Sequence, residues 1–361
     1  MSFFKKLRSA TLAAVLFTGV AATAPAMAAT VNGDVDGDGI PNSWEINGYD
    51  ANGDGVIDVD YPGMGANPFH KDIFVEMDYM PGLLAPEEDL DRIVQVMKEI
   101  PLPNPDGVRG INIHLDAGSA RSAKYNLGGG NEVPYKEFDG WLVDLADYKS
   151  KYFDMNRAPG FHYMVWGDYY AGSWSSGLAN FDDKDFIVTV GPTFWGSASS
   201  DIRVGVFVHE LGHNLNLMHG GDDEVNYKPQ YMSVMNYKYA LSGAPKTNGT
   251  RHFGYGIYDN ITLDENALDE RRGLGPANRG YNYNGVAASK PIDFNGNGVI
   301  DSEPVKADIN GDGEYSKLTS PSDLKRLHFQ AHDGTKKTSE GPHVEQSGLT
   351  AGMAREMALI P

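Results

Sequence analysis

Three histidines and one glutamate lie in the stretch HELGHNLNLMH, which begins at His209. On a helix, His209 and His213 lie one turn apart on the same face, so both imidazoles can bind one ion, with Glu210 beside them. His219 reaches the same ion only if the helix ends and the chain turns back near Asn216, since asparagine tolerates the positive φ of such a turn. The spacing predicts a zinc site with three histidine ligands.

This ligand set determines the chemistry that we expect. Three neutral histidines leave a fourth position for water on a tetrahedral zinc ion, which lowers the pKa of that water to about 7. Glu210 is the candidate general base, which takes a proton as the water attacks a carbonyl and delivers it to the leaving amine. The alternative is an amphipathic helix whose histidines are ordinary surface or core residues.

A second motif, SVMNY, lies downstream at 233–237, with Met235 sixteen residues after His219. Together the two motifs resemble those of the metzincin clan of zinc endopeptidases, and the SxMxY form is most similar to the astacin and serralysin branches. The resemblance implies that Met235 lies in a turn beneath the zinc and that Tyr237 lies near the metal, where it can stabilise an oxyanion. The clan pattern has glycine where this chain has Asn216. For Met235, ordinary core packing is the alternative.

Strand and helix patterns alternate ahead of the histidines. Periodicity predicts strands at 70–79, 109–115, 161–166 and 184–190, and helices after Pro86, around 141–153 and from 201 to 216. This order predicts an α+β fold. The resemblance implies a metzincin-like zincin, with a twisted, mostly parallel sheet, an antiparallel edge strand, an active-site helix and a smaller irregular C-terminal subdomain.

The resemblance also assigns roles to particular segments. Residues 185–191 would form the edge strand above the cleft, where a peptide substrate adds as an antiparallel strand; an interior strand is the alternative. Residues 220–240 would line a substrate pocket, and residues 263–274 would form a closing helix. A further short helix is expected from 350 to 359.

The chain divides into four expected regions. Residues 1–28 have basic residues, an apolar run and a small-residue cleavage site, which together predict a secretory signal peptide. A calcium-loop segment (29–69), the catalytic domain (70–274) and a C-terminal region (275–361) follow. We therefore expect a secreted protein, periplasmic if the source is Gram-negative, without a membrane span, because no later apolar run reaches 18 residues.

Charge and cysteine content limit the partners and the sources of stability. Loss of the signal peptide removes three positive and no negative charges, which takes the formal net charge from -19 to -22. Such an acidic chain disfavours nucleic acid and anionic lipid as partners. We expect a monomer that acts on protein or peptide substrates. The chain has no cysteine, so metal ions are expected to supply stability that disulfides supply elsewhere.

Two loops near the N-terminus match the twelve-residue calcium pattern, in which oxygen ligands at fixed spacing surround one hard cation. The first supplies Asp34, Asp36, Asp38, the Ile40 carbonyl, Asn42 and Glu45. The second supplies Asp50, Asn52, Asp54, the Val56 carbonyl and Asp58, but has Tyr61 at the twelfth position. Both resemble thrombospondin type 3 or bacterial calcium-repeat arrays more than paired EF-hands.

A second pair of calcium-type loops lies near the C-terminus. One supplies Asp293, Asn295, Asn297 and Asp301, and the other supplies Asp308, Asn310 and Asp312. Both lack the carboxylate at the twelfth position, so these sites are weaker. Solvated acidic turns are the alternative for all four loops.

The sequence therefore favours a secreted zinc endopeptidase with structural calcium. Two other functions share these motifs. One is a calcium-stabilised adhesion or matrix module with an inert zinc site, which the presence of Glu210 disfavours. The other is a zinc hydrolase that acts on a non-protein amide.

Overall fold

The computed structural model describes residues 33–170, 174–330 and 350–360, apart from the side chains of 141 and 142. The predicted signal peptide lies outside the described residues. The α-helices are Asn42–Asn47 (α1), Glu87–Glu99 (α2), Trp141–Tyr152 (α3), Pro192–Trp195 (α4), Ser200–Asn214 (α5), Tyr237–Ala240 (α6) and Ala351–Glu356 (α7). The strands are Asp72–Tyr79 (β1), Asn112–Asp116 (β2), Phe161–Trp166 (β3), Gly177–Ala179 (β4), Asp185–Val188 (β5), Ala244–Pro245 (β6), Arg251–His252 (β7), Leu263–Asp264 (β8), Asn282–Tyr283 (β9), Val286–Ala287 (β10) and Lys317–Leu318 (β11).

A five-stranded sheet with the order β2-β1-β3-β5-β4 forms the centre of the fold. Its strands are parallel except for β4, which pairs antiparallel with β5 at one edge. The mixture of helices with a mostly parallel sheet and an antiparallel edge strand confirms the predicted α+β class.

Both faces of the sheet are buried, as expected of parallel strands. Ile73, Val75 and Met77 of β1 belong to the core on one face, which also includes apolar residues of α2 and α5. Phe74 packs on the opposite face, against Phe161 at a ring distance of 5.0 Å. Alternate side chains of β1 therefore point to opposite faces of the sheet, into two different cores.

The position of the edge strand corrects one expectation. Residues 185–191 were expected at the edge of the sheet, but β5 lies between β3 and β4 and is an interior strand. The edge is β4, a strand of three residues that the sequence analysis did not predict. Three residues are too few to show the alternation by which a strand is identified.

The expected closing helix at 263–274 is also wrong. This segment contains the two-residue strand β8, which pairs with β11, and a single 3₁₀ turn at Glu270–Arg272. Glu265 and Glu270 are fully buried and accept backbone hydrogen bonds from two downstream loops, at residues 308–316 and 293–301. The segment therefore folds against these loops and not into a helix.

A third apolar cluster connects the region after the histidine motif to the C-terminal part of the chain. It joins Met232, Tyr239 and Leu263 to Tyr281 and Leu318. Helix α7, expected at 350–359, packs through Ala351 and Ala354 into the main core. Within the described residues, no helix is long and apolar enough to cross a membrane.

Candidate metal centre

Helix α5 presents the first two histidines of the motif. The Ser199 side chain caps its N-terminus by accepting a hydrogen bond from the Ile202 amide at 3.3 Å. His209 and His213 are 1% and 6% exposed, and their Nε2 atoms lie 3.1 Å apart. Two nitrogens at 2.0–2.1 Å from one tetrahedral zinc ion are about 3.3 Å apart. The spacing of the two rings therefore suits a shared ion.

A turn after the end of α5 brings His219 close to His209 and His213. Asn216 has a φ of 70°, and its amide donates to the His213 carbonyl at 3.0 Å. The Leu217 amide donates to the Gly212 carbonyl at 3.0 Å, which completes a Schellman motif. The His219 ring then lies 4.8 Å from that of His213 and 5.4 Å from that of His209. The turn predicted at Asn216 is confirmed.

Each histidine is held by a hydrogen bond at its Nδ1 atom. His209 Nδ1 lies 2.9 Å from the Val234 carbonyl, and His213 Nδ1 lies 2.8 Å from the Leu217 carbonyl. His219 Nδ1 lies 2.9 Å from a carboxylate oxygen of Glu224.

The Nδ1 partners determine the tautomer of each neutral ring. A carbonyl or carboxylate oxygen only accepts, so each Nδ1 carries the proton and each Nε2 presents a lone pair. Lone pairs that face one another at 3.1 Å repel unless a cation lies between them. Such partners at the second ring nitrogen are typical of metal-binding histidines. The donor set therefore fits a zinc ion, and the same residues form a buried trio that can hold a metal.

No protein-family model matches this chain, and no curated protein matches it. The function of the chain is therefore inferred from the geometry of the site.

Glu210 lies between helix α5 and the edge of the sheet. Its side chain is 1% exposed and packs against Gly177 of β4. A Cβ atom on Gly177 would lie 2.5 Å from Glu210 Oε1 and 2.7 Å from the Ile187 carbonyl oxygen. Only glycine leaves room for the carboxylate at this position, so β4 and Glu210 form one wall of the site.

The SVMNY segment lies directly against the histidines. Met235 is fully buried, and a Cβ atom on Gly212 would clash with its sulfur, so Met235 packs beneath the last turns of α5. The Tyr237 ring centroid lies 4.4 Å from that of His219 and 5.7 Å from that of His209. The structure thus brings together the six candidate residues of the two motifs, with Met235 below and Tyr237 beside the imidazoles.

Several residues of the site were not predicted. Val234 and Leu217 act through backbone carbonyls, which leave no signature in a sequence. Glu224 lies in the acidic run after His219, and only that proximity hints at its role. Asp323 accepts a hydrogen bond from the Ser233 hydroxyl at 2.6 Å and so holds the methionine turn from a distant part of the chain.

The first calcium-type loop places its acidic side chains together. Asp34, Asp36 and Asp38 have ligand oxygens within 4.8 Å of one another. Asp38 and Glu45 are also grouped in this way with Asp72, which the sequence analysis did not include. The other two predicted ligands of this loop are buried as well: Ile40 is 2% exposed and Asn42 is fully buried.

Burial raises the pKa values in this loop. Desolvation, followed by repulsion from neighbouring carboxylates, raises the pKa of Glu45 to about 9. Desolvation, followed by a hydrogen bond with Asp34, raises the pKa of Asp36 to about 7. Desolvation is the largest cause of both shifts; the nearby Lys71 ammonium lowers the pKa of Asp36 and only partly offsets its rise.

The second loop differs because it is exposed. Asp50 accepts hydrogen bonds from the amides of Gly53 and Gly55, both at 2.7 Å, and Val56 is 66% exposed. Asp58 accepts one from the Ala51 amide at 2.8 Å. Among the described residues, these side chains form no compact trio of the kind found in the first loop.

In the C-terminal loops, a glutamate from outside the loop approaches each backbone. Glu270 accepts hydrogen bonds from the Phe294 and Asp301 amides, both at 2.8 Å. Glu265 accepts from the Ile309 amide at 2.7 Å and the Ser316 amide at 2.9 Å.

The predicted ligands of these two loops form hydrogen bonds within their own loops. The first-position residues Asp293 and Asp308 accept from the amides of glycines. Asn295 and Asn297 both donate to Asp301, and Asn310 donates to Asp312.

Proposed function

We propose that the chain is a secreted zinc-dependent endopeptidase. The observation that carries the proposal is the convergence of three imidazoles, each with Nδ1 anchored, beside a buried glutamate at a sheet edge. Secretion rests on the predicted signal peptide alone. Structural calcium belongs to the same proposal and rests chiefly on the first loop.

His209, His213 and His219 would hold the zinc ion. When bound, zinc supplies a Lewis acid that polarises a carbonyl group and lowers the pKa of a coordinated water to about 7. The hydrogen bonds at Nδ1 keep the three rings in the tautomer and orientation that such binding requires.

Glu210 acts as the general base and then as the general acid. Its carboxylate accepts a proton as water attacks the scissile carbonyl carbon, and it delivers this proton to the amine nitrogen as the C–N bond breaks. The phenol of Tyr237 donates a hydrogen bond to the oxyanion that develops on the carbonyl oxygen. The position of its ring beside His219 supports this role.

The substrate backbone adds antiparallel to the outer edge of β4. Main-chain hydrogen bonds to a sheet edge hold an extended peptide without regard to its sequence, and pockets for alternate side chains add selectivity. The contact between Gly177 and Glu210 supports this placement, because it sets the edge strand next to the general base.

Substitution of Glu210 by glutamine tests the proposal. The variant should keep its zinc, since all three ligands remain, and lose at least about 100-fold in kcat because the proton acceptor is gone. Metal analysis and cleavage of a peptide library, before and after chelation, provide the measurements. Glu88→Gln, at an exposed position of α2, is the matched control.

The same assays separate the competing functions. Cleavage of peptides by Glu210→Gln at the wild-type rate would contradict the assignment of the base. A zinc-loaded wild-type chain that cleaves no peptide but does cleave a non-protein amide would identify the other hydrolase. Failure on both substrate classes would favour an adhesion module.

A further inference from the structure

Five carboxylates lie together where the first calcium-type loop meets the sheet. Asp34, Asp36 and Asp38 form one close group, and Asp38, Glu45 and Asp72 form another. Asp38 belongs to both groups, so the five side chains share one region. Asp72 lies 27 residues beyond Glu45 in the chain and is the first residue of β1.

Glu45 points to a ligand that the protein itself does not provide. It is 1% exposed, and neither of its carboxylate oxygens accepts a hydrogen bond from the described residues. Asp36 Oδ2 is also buried and accepts no hydrogen bond from the described residues. Buried carboxylates are normally paired with a cation or bound to a metal, because an uncompensated charge in the interior is costly.

Asp72 is oriented towards this group by three hydrogen bonds. Its amide donates to Asp38 Oδ2 at 2.7 Å, and its own carboxylate accepts from the Asn67 amide and from His114 Nε2, both at 2.7 Å. Each carboxylate oxygen has a second lone pair, so these bonds position Asp72 and still allow it to bind an ion. Asp72 is 1% exposed.

The side chain at the ninth loop position has a different role. The amide oxygen of Asn42 accepts a hydrogen bond from the Val35 amide at 3.0 Å, and its backbone amide donates to the Gly33 carbonyl at 2.9 Å. Asn42 therefore closes the loop on itself. This leaves a place among the oxygen ligands that Asp72 is positioned to take.

We propose that this loop and Asp72 together bind one calcium ion, which joins the N-terminal segment to the first strand of the central sheet. Calcium requires six to eight oxygen ligands at flexible geometry. The ligands are Asp34, Asp36, Asp38, the Ile40 carbonyl, Glu45 and Asp72. The site is independent of the proposed peptidase activity, because none of its residues belongs to the zinc centre.

The variant Asp72→Asn tests the proposal in the full mature chain. It should weaken the tightest calcium site at least tenfold in calorimetric titration and reduce the calcium-dependent rise in Tm. Asp106→Asn is a matched control, since Asp106 also accepts from a histidine ring, at 2.9 Å from His70, but lies outside the carboxylate group. Calcium binding by Asp72→Asn with the wild-type affinity and Tm shift would overturn the proposal.

A measurement on the wild-type chain covers the case in which the variant does not fold. Calcium added after chelation should slow amide hydrogen exchange both in residues 34–45 and in residues 71–73. Protection confined to residues 34–45, or absent from both segments, would also overturn the proposal. Neither readout depends on zinc or on peptide cleavage.

Discussion

At the scale of single residues, Asn216 links the two halves of the histidine motif. Its φ of 70° lies in the left-handed region, which residues other than glycine, asparagine and aspartate rarely adopt. The backbone hydrogen bonds on either side of it direct the chain from α5 to His219. The position of the third histidine therefore depends on one backbone conformation.

Substitutions at Asn216 should separate this backbone role from any role of the side chain. Asn216→Gly should bind zinc normally, because glycine adopts this φ without strain. Asn216→Val should lose stability by about 1–3 kcal/mol and bind zinc more weakly, because a β-branched residue is strained there. Zinc content after dialysis and Tm are the measurements. Equal zinc affinity in the two variants would show that His219 does not depend on this turn.

The sequence predicted the three histidines and the turn between them, but it did not predict what holds the rings. Val234 and Leu217 contribute carbonyl groups, which every residue possesses. Glu224 is one of three consecutive acidic residues after His219, and only the path of the folded loop selects it as the partner of His219. Ligand spacing is a local property, whereas hydrogen-bond partners at the second nitrogen are set by tertiary structure.

At the scale of elements, the edge strand β4 is the feature that sequence periodicity missed. Its residues Gly177, Leu178 and Ala179 are small or apolar and all buried, so they show no alternation. The longer run in β5 was easier to recognise as a strand but not to place in the sheet. Strand identity can be read locally, while strand order depends on where the connecting segments run.

The variant Gly177→Ala tests the contact between β4 and Glu210. The added Cβ atom would lie 2.7 Å from a backbone oxygen of β5, so the edge strand must shift together with the carboxylate. We expect an approximately 100-fold loss of kcat/KM with zinc content unchanged, since small misplacements at a reacting centre have effects of this size. Gly140→Ala is the control, because its nearest neighbour would be Val143 Cβ at 3.9 Å. Wild-type kcat/KM in Gly177→Ala would argue against a role for this wall.

The segment at 263–274 shows how a helical expectation fails. Leu263, Leu268 and Leu274 are buried. They are spaced five and six residues apart, so their spacing alone does not identify a helix. The decisive residues are Glu265 and Glu270, which turn inward to accept backbone amides of the C-terminal loops. A carboxylate that satisfies amides of another segment competes with regular helix formation, and the sequence alone does not show which partner wins.

At the scale of the whole molecule, the C-terminal part of the chain supports the methionine turn beside the three histidines. Asp323 accepts hydrogen bonds from the Tyr231 and Ser233 hydroxyls and from the Gly256 amide, each at 2.6 Å. Desolvation raises the pKa of this fully buried carboxyl group to about 6. The methionine turn is thus fixed by a residue 90 positions beyond Ser233. The sequence alone does not predict contacts between residues so far apart in the chain.

Helix α7 brings the end of the described chain close to the start of β4. Thr350 forms an antiparallel bridge with Ser175, just before β4, and Met353 Sδ lies 3.9 Å from the Tyr227 hydroxyl. The Tyr227 ring in turn lies 6.2 Å from that of Tyr237. This segment pairs at the start of the sheet edge on which, under the proposed function, a peptide substrate would add.

The variant Ala354→Glu should therefore open the start of that edge. Ala354 is fully buried, and an unpaired charge there should detach α7 from the core. We expect faster amide exchange in residues 175–179 and, if the chain is a peptidase, a several-fold increase in kcat/KM for long peptides. Met357→Glu, which makes the same change at a position that is 37% exposed, should alter neither property. Unchanged exchange in Ala354→Glu would show that α7 does not cover the edge. Faster exchange without any peptide cleavage would uphold the contact and count against the peptidase.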